Sequence, residues 1–286
     1  MSKIAIVTGA TSGLGLETAR QLAERGYEVG IVARNLAKGR EAVASIARTA
    51  PVAPVLFLCD LADLSQVRRA GAEIAARFPR IDVLVNNAGV INVKRRVTVD
   101  GYEETFAVNH LAHFLLTGLL LPSLVAAAPS RIIVVSSNAH VPFKLKLDDL
   151  MSTHGYSTFL VYGRSKLANL YFTYELARRL AGTGVSVNAV HPGAIASGFS
   201  MNNGTLARIA MTLSRPFFMS PAQAAATPVW MASAPELATK TGRYFYKLKE
   251  INSTRRSHDA DVAQALWAQS EALTGFVYPP IGQSRP

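Results

Sequence analysis

Residues 4–15 read Ile4-Ala5-Ile6-Val7-Thr8-Gly9-Ala10-Thr11-Ser12-Gly13-Leu14-Gly15: a short apolar run, three glycines, then a helical pattern from Leu14 that Gly26 stops. An all-apolar run of this length between turn residues fits a strand buried on both faces. Glycines in a strand-to-helix turn let the backbone come close to a pyrophosphate. The new helix adds unpaired N–H groups and the positive end of its dipole. Gly9, Thr11, Ser12, Gly13, Leu14 and Gly15 are therefore candidate anion-binding residues. Their spacing, glycine, three residues, glycine, one residue, glycine, departs from the commoner dinucleotide fingerprint, so the strand–loop–helix context carries the reading.

The same rhythm continues outward from this loop. Val29–Ala33, Val55–Leu58, Asp82–Val85, Ile132–Ser136 and Val185–Val190 are further predicted strands. Predicted helices lie at Ala37–Arg48, Leu64–Phe78, Tyr102–Val125 and Tyr162–Leu180, with another from Ala222. Short apolar strands alternating with helices predict an α/β fold, a Rossmann-type doubly wound parallel sheet with helices on both faces. No linker or change of composition divides the chain, so one domain is expected over residues 1–286. Its cofactor half would be about 1–135 and its catalytic and substrate half about 136–286. The least regular stretch, about 198–221, is expected to pass over the ligand edge of the sheet.

With 49% hydrophobic and 17% charged residues and no biased tract, disorder, collagen and solenoid repeats are excluded. The single cysteine, Cys59, allows neither an internal disulfide nor a thiolate zinc cluster and fits a reducing compartment. The start of the chain does not read as a signal peptide, so a cytoplasmic protein is expected. Phe114–Pro129 is uncharged but short for a span and is broken by Thr117, Pro122 and Ser123; it is expected to be a buried or interface helix, with no integral membrane segment. The net charge of +11 is spread over Lys94-Arg95-Arg96, Arg178-Arg179, Lys247 with Lys249 and Arg255-Arg256. No single arm carries it and no nucleic-acid motif accompanies it, so a solvated basic surface is expected and no nucleic-acid partner.

At the end of the second strand stand Ala33-Arg34-Asn35, with Lys38 a turn later and no carboxylate to accept from a free ribose 2′-hydroxyl. Arg34 and Asn35 would meet a 2′-phosphate instead, which favours NADP(H) over NAD. Further on, Tyr162-Gly163-Arg164-Ser165-Lys166 places a tyrosine and a lysine four apart on one helix face. A phenol is a poor base near neutral pH, and an ammonium at about 4 to 5 Å would lower its pKa by about 3 units.

These motifs occur in order with Asn86-Asn87-Ala88-Gly89, Ser136-Ser137 and Pro192-Gly193, and together they resemble the short-chain dehydrogenase/reductase family from Ile4 to about Ser197. Ser136-Ser137-Asn138-Ala139-His140, Ser165-Lys166-Leu167-Ala168-Asn169 and Gly242-Arg243-Tyr244-Phe245 further resemble its retinol-dehydrogenase-like branch. The resemblance implies a catalytic set of Asn109, Ser137, Tyr162 and Lys166. Tyr162 would be the general acid/base, Lys166 would lower its pKa and hold the nicotinamide ribose, Ser137 rather than Ser136 would hydrogen-bond the substrate oxygen, and Asn109 would bind a water feeding protons toward the lysine. It also implies cofactor contacts at Asp60 and Leu61, at Asn87, Ala88 and Gly89, and at Pro192, Gly193, Ile195 and Ser197. Ser197 replaces the usual threonine with another hydroxyl. His110, His113, His140 and His191 show no metal-ligand spacing and are expected to be structural.

Substrate contacts are expected from Ala139–Phe159 and Gly198–Pro221, whose mostly apolar content suits a lipophilic carbonyl or alcohol. The expected function is NADP(H)-dependent interconversion of the two. A non-catalytic NADPH sensor of the same fold is the alternative; a nucleotide-sugar lyase or epimerase and a membrane-associated protein fit less well. Family habit implies a homodimer or homotetramer, with the helical faces 114–124 and 167–176 as candidate interfaces.

Overall fold

The computed structural model describes residues 2–193 and 219–279. Its strands are Ile4–Thr8 (β1), Glu28–Ala33 (β2), Val55–Leu58 (β3), Val83–Asn86 (β4), Ser130–Val135 (β5), Val185–Val190 (β6), Arg243–Tyr246 (β7) and Lys249–Ile251 (β8). They form one sheet in the order β3-β2-β1-β4-β5-β6-β7-β8. All neighbours are parallel except β7 and β8. The strand order reverses between β1 and β4, which opens a crevice at their carboxyl ends, where ligands bind in such sheets.

Alternate residues of each strand serve opposite faces. On one face Ala5, Val7, Ile31, Val85 and Val135 pack against helices Gly13–Glu24 (α1), Leu36–Ala47 (α2) and Pro221–Ser233 (α6). On the other, Ile6, Leu84, Ile132, Val134 and Val187 meet Leu64–Arg77 (α3), Glu104–Ala126 (α4) and Thr158–Arg179 (α5). Both faces are covered, as the continuous apolar strands require. Helices α2, α3 and α4 begin where side chains satisfy their first N–H groups: Asn35, Asp63 and Glu103 each accept from the turn they precede.

Among the described residues α4 is the one helix long and apolar enough to cross a membrane. It lies within the fold, with Phe114, Leu115, Leu116, Leu120 and Leu121 at most 1% exposed. A π-helical turn at Ala107–Leu111 interrupts it and carries Asn109.

Four features depart from the sequence-based expectations. The β7–β8 hairpin was not predicted, and neither was Ala260–Thr274 (α7), which is capped by Asp259 and ended by left-handed Gly275. Helix α5 starts at Thr158, so Tyr162 lies in its second turn instead of opening it. The faces 114–124 and 167–176, expected as subunit interfaces, are covered by the chain's own C-terminal part. Trp267 of α7 lies 4.9 Å from Phe114 and 6.0 Å from Phe172, centroid to centroid, and the Tyr278 hydroxyl donates to the Phe114 carbonyl.

Candidate active site

The crevice is lined first by the glycine turn. Gly9 has φ +65°, and a Cβ there would fall 2.9 Å from Ala88 Cα. At Gly15 a Cβ would collide with Asn87 Nδ2 and with the Gly9 carbonyl. Both glycines are therefore required by close approach of backbone to backbone. Ser12 precedes α1 without capping it through its side chain, and no acidic residue occupies the first turn, so the N–H groups of that turn remain for an anion. Asn87 closes the turn from the β4 side, its Nδ2 donating to the Thr8 carbonyl at 2.7 Å. Thr8 Oγ1 in turn accepts from Asn87 N and Ala88 N, both at 2.9 Å.

At the end of β2, Arg34 and Lys38 are exposed, while Asn35 Oδ1 is committed to the N–H of Lys38. Asp60 folds back on the Ala62 N–H, and Leu61 is buried. Gly89 follows Ala88 in the turn after β4. Gly193, at φ +92°, packs so closely on Met219 that a Cβ would lie 2.8 Å from its sulfur. Pro192 precedes it. Ile195, Ser197 and most of the stretch 198–221 lie outside the described residues.

The candidate catalytic residues converge over the carboxyl end of β5. Ser136 is buried and its hydroxyl donates to the Lys166 carbonyl, which leaves Ser137 to face the site. Ser137 Oγ accepts from Ala139 N at 3.1 Å, and its hydroxyl lies near enough to the Tyr162 phenol to act on its titration. Lys166 is buried with its Nζ donating to the Val135 carbonyl at 3.0 Å, 5.6 Å from the Tyr162 ring centroid. Asn109 reaches the same cluster through its carboxamide: Oδ1 accepts from Val90 N at 2.7 Å, and Nδ2 donates to the Val90 carbonyl and to Ser165 Oγ. Ser165 Oγ donates to the Tyr162 carbonyl at 2.7 Å.

Electrostatics correct one expectation. Burial pushes the Tyr162 phenol up to about 12, with the nearby Ser137 hydroxyl pulling the other way. Lys166 is pushed down to about 8 by its own burial. Desolvation dominates at both groups, so the phenol is raised where a lowered one was expected. At neutral pH the phenol therefore carries its proton.

Sequence inspection missed Ser165, Thr8 and His113 as parts of this network. For Ser165 a signal existed: a serine three residues after Tyr162 on a helix is placed to bond that tyrosine's carbonyl. Thr8 and His113 meet across 105 residues of chain, and no local pattern announces that.

A doubly wound sheet whose switch point carries a glycine-cradled helix start, beside a serine after β5 and a tyrosine and lysine on α5, defines a dinucleotide-dependent oxidoreductase. The short chain dehydrogenase family model matches residues 3–206. Retinol dehydrogenase 12 of Mus musculus is 41% identical over 275 residues, covering 96% of this chain and 87% of its own. The crystal structure of an uncharacterized protein from Mycobacterium paratuberculosis superposes with a TM-score of 0.77 at 37% identity, over 97% of this chain and 95% of that one. A short chain dehydrogenase from Burkholderia cenocepacia, solved in complex with NADP, has a TM-score of 0.68 at 26% identity, over 85% of this chain and 94% of that one. The chain belongs to the short-chain dehydrogenase family and, within it, to the retinol-dehydrogenase-like branch.

Proposed function

We propose that this protein is a cytoplasmic, NADP(H)-dependent oxidoreductase that interconverts a carbonyl and an alcohol on a lipophilic small molecule. The convergence of Ser137, Tyr162 and Lys166 above the end of β5 carries this reading. It sets two hydroxyls where one substrate oxygen can meet both. The preference for NADP(H) is supported by the exposed Arg34 and Lys38 at a strand end without a carboxylate. An apolar substrate is supported by Val141 and Phe159, 48% and 73% exposed in the segments that flank Ser137 and Tyr162.

A bound nicotinamide supplies or accepts the hydride. Gly9 to Gly15 would hold its pyrophosphate, Arg34 its 2′-phosphate and Lys166 its ribose. Ser137 donates to the substrate oxygen and withdraws charge as alkoxide develops. Tyr162 Oη delivers the proton to that oxygen during reduction and takes it back during oxidation. Asn109 and Ser165 hold the backbone of Tyr162 in register with Ser137.

The test is consumption of NADPH and of NADH by the purified protein over a panel of apolar aldehydes and ketones, with Tyr162→Phe alongside. The variant keeps the ring, so it should bind NADPH as the parent does while turnover falls by about two to four orders of magnitude. Undiminished turnover in Tyr162→Phe would remove Tyr162 from the mechanism.

A further inference from the structure

His113 lies one helical turn beyond Asn109, 0% exposed, and touches both halves of the site. Its Nε2 is 3.2 Å from Thr8 Oγ1 and its Nδ1 is 3.1 Å from the Asn109 carbonyl. Counting donors and acceptors fixes the state of the ring. A carbonyl only accepts, so Nδ1 carries the proton. Thr8 Oγ1 already receives two N–H groups, from Asn87 and Ala88, and has no lone pair left for a third donor. The threonine must therefore give its own proton away, and His113 Nε2 is nearer than the Val85 carbonyl at 3.4 Å. Both ends demand the same neutral tautomer.

The two groups that His113 joins matter to the site. Thr8 is the anchor of the Asn87-Ala88 turn, which packs against Gly9 of the nucleotide loop. Asn109, in the π-helical turn, has its carboxamide engaged with Val90 and with Ser165, which in turn holds the Tyr162 carbonyl, so fixing the Asn109 main-chain oxygen fixes the start of that chain of bonds. We propose that His113 is a positioning residue which locks the Asn109 carbonyl and the Thr8-anchored turn into one register through a neutral ring protonated on Nδ1. This deepens the function proposed above and rests on it for the catalytic half. Burial, reinforced by the ammonium of Lys166, pushes His113 down to about 3, so the ring stays neutral wherever the protein is folded and active.

Two substitutions separate the two bonds. An asparagine carboxamide reaches only as far as Nδ1, so H113N can still donate to the Asn109 carbonyl but loses Thr8. A glutamine carboxamide reaches Nε2, so H113Q can still accept from Thr8 but loses Asn109. NADPH affinity, read by fluorescence titration, should weaken about tenfold in H113N, the effect of one lost buried hydrogen bond, and less in H113Q. The rate at saturating cofactor should show the reverse, falling about tenfold in H113Q and less in H113N. Equal losses in both variants, or a lower Tm with rate and affinity unmoved, would overturn the proposal. Independently, 15N NMR of the labelled parent protein should show the His113 ring protonated on Nδ1 alone and unchanged down to pH 5. An Nε2-protonated ring, or one titrating near 6.5, would overturn it as well. If the parent turns over no carbonyl, the function proposed above fails while NADPH affinity and the tautomer still decide the role of His113.

Discussion

Phe143 occupies the space that a side chain on Gly163 would need, and the Ala139 carbonyl oxygen would lie 2.5 Å from a Cβ there. Gly163 stands between Tyr162 and Lys166 on α5, and Ala139 lies two residues beyond Ser137. The missing side chain thus lets the segment after Ser137 lie directly on the helix that carries the other two catalytic candidates. Gly163→Ala should displace Ser137 from Tyr162 and lower kcat by at least about tenfold, by the sensitivity of such constellations to displacements near 1 Å. Cofactor affinity should change far less. Phe143→Ala in the same chain should restore little, because a backbone carbonyl remains in the way. Steady-state kinetics and NADPH titration of the single and double variants decide it, and full rescue by Phe143→Ala would sink the account.

Arg34 carries the cofactor prediction. It is exposed at the end of β2 and has no acidic partner in its own turn, so a 2′-phosphate would gain a charge-assisted contact. Arg34→Asp replaces that contact with repulsion and offers a carboxylate to a free ribose. NADPH should bind about ten- to a hundredfold more weakly in the variant, the range of one charge-assisted hydrogen bond, and NADH should bind better. An unchanged ratio of the two affinities would assign the discrimination to other residues.

Strands β1 to β6 and the glycine turn were legible because a parallel sheet covered on both faces demands short, mostly apolar runs, and such runs recur here between helical patterns. The β7–β8 hairpin was hidden by its turn. Lys247 and Leu248 hold φ of +47° and +60° without the Asn-Gly or Asp-Gly that signals such a turn. Helix α7 carries a cap at Asp259 and a stop at Gly275 that the sequence reading passed over, and its consequence lay in tertiary structure. It covers the surfaces that α4 and α5 would otherwise present to a second subunit. The site divides in the same way: Tyr162 and Lys166 are a local spacing, whereas the depth that raises the phenol to about 12 and the bond between Thr8 and His113 depend on residues far away in the chain.

Buried neutral histidines make stability fall with acid. Burial lowers His110 to about 4 and His113 to about 3, against an unfolded value near 6.5. Between those values and 6.5 the unfolded chain holds more protons than the folded one, so stability drops as pH falls through that window. At pH 5 each ring contributes a loss on the order of 2 kcal/mol. A thermal-unfolding series should show Tm falling by roughly ten degrees from pH 7 to pH 5, well above the range in which carboxylates titrate. A flat Tm over that interval would mean that these rings are not held neutral by the fold.

Trp267 is the residue on which the covering of α4 and α5 turns. Its ring stacks on Phe172, meets Phe114 and Tyr278 at 4.9 and 4.6 Å between centroids, and lies under the Arg179 guanidinium at 4.2 Å. Its Nε1 donates to Glu271 at 2.9 Å, so the polar end is satisfied as well. Trp267→Ala removes all of these at once and should cost about 3 to 5 kcal/mol, with a fall in Tm of roughly ten degrees. The loss does not touch the catalytic residues, so turnover at a temperature where the variant is folded should stay close to that of the parent. Loosening α7 also uncovers Phe114 and Phe172, which should appear as self-association in sedimentation velocity and as increased binding of a hydrophobic dye. A variant that unfolds earlier yet sediments as the parent does would show that α7 stays seated without its tryptophan, and that the remaining contacts of Leu266 and Ala263 with α5 suffice to keep the face closed.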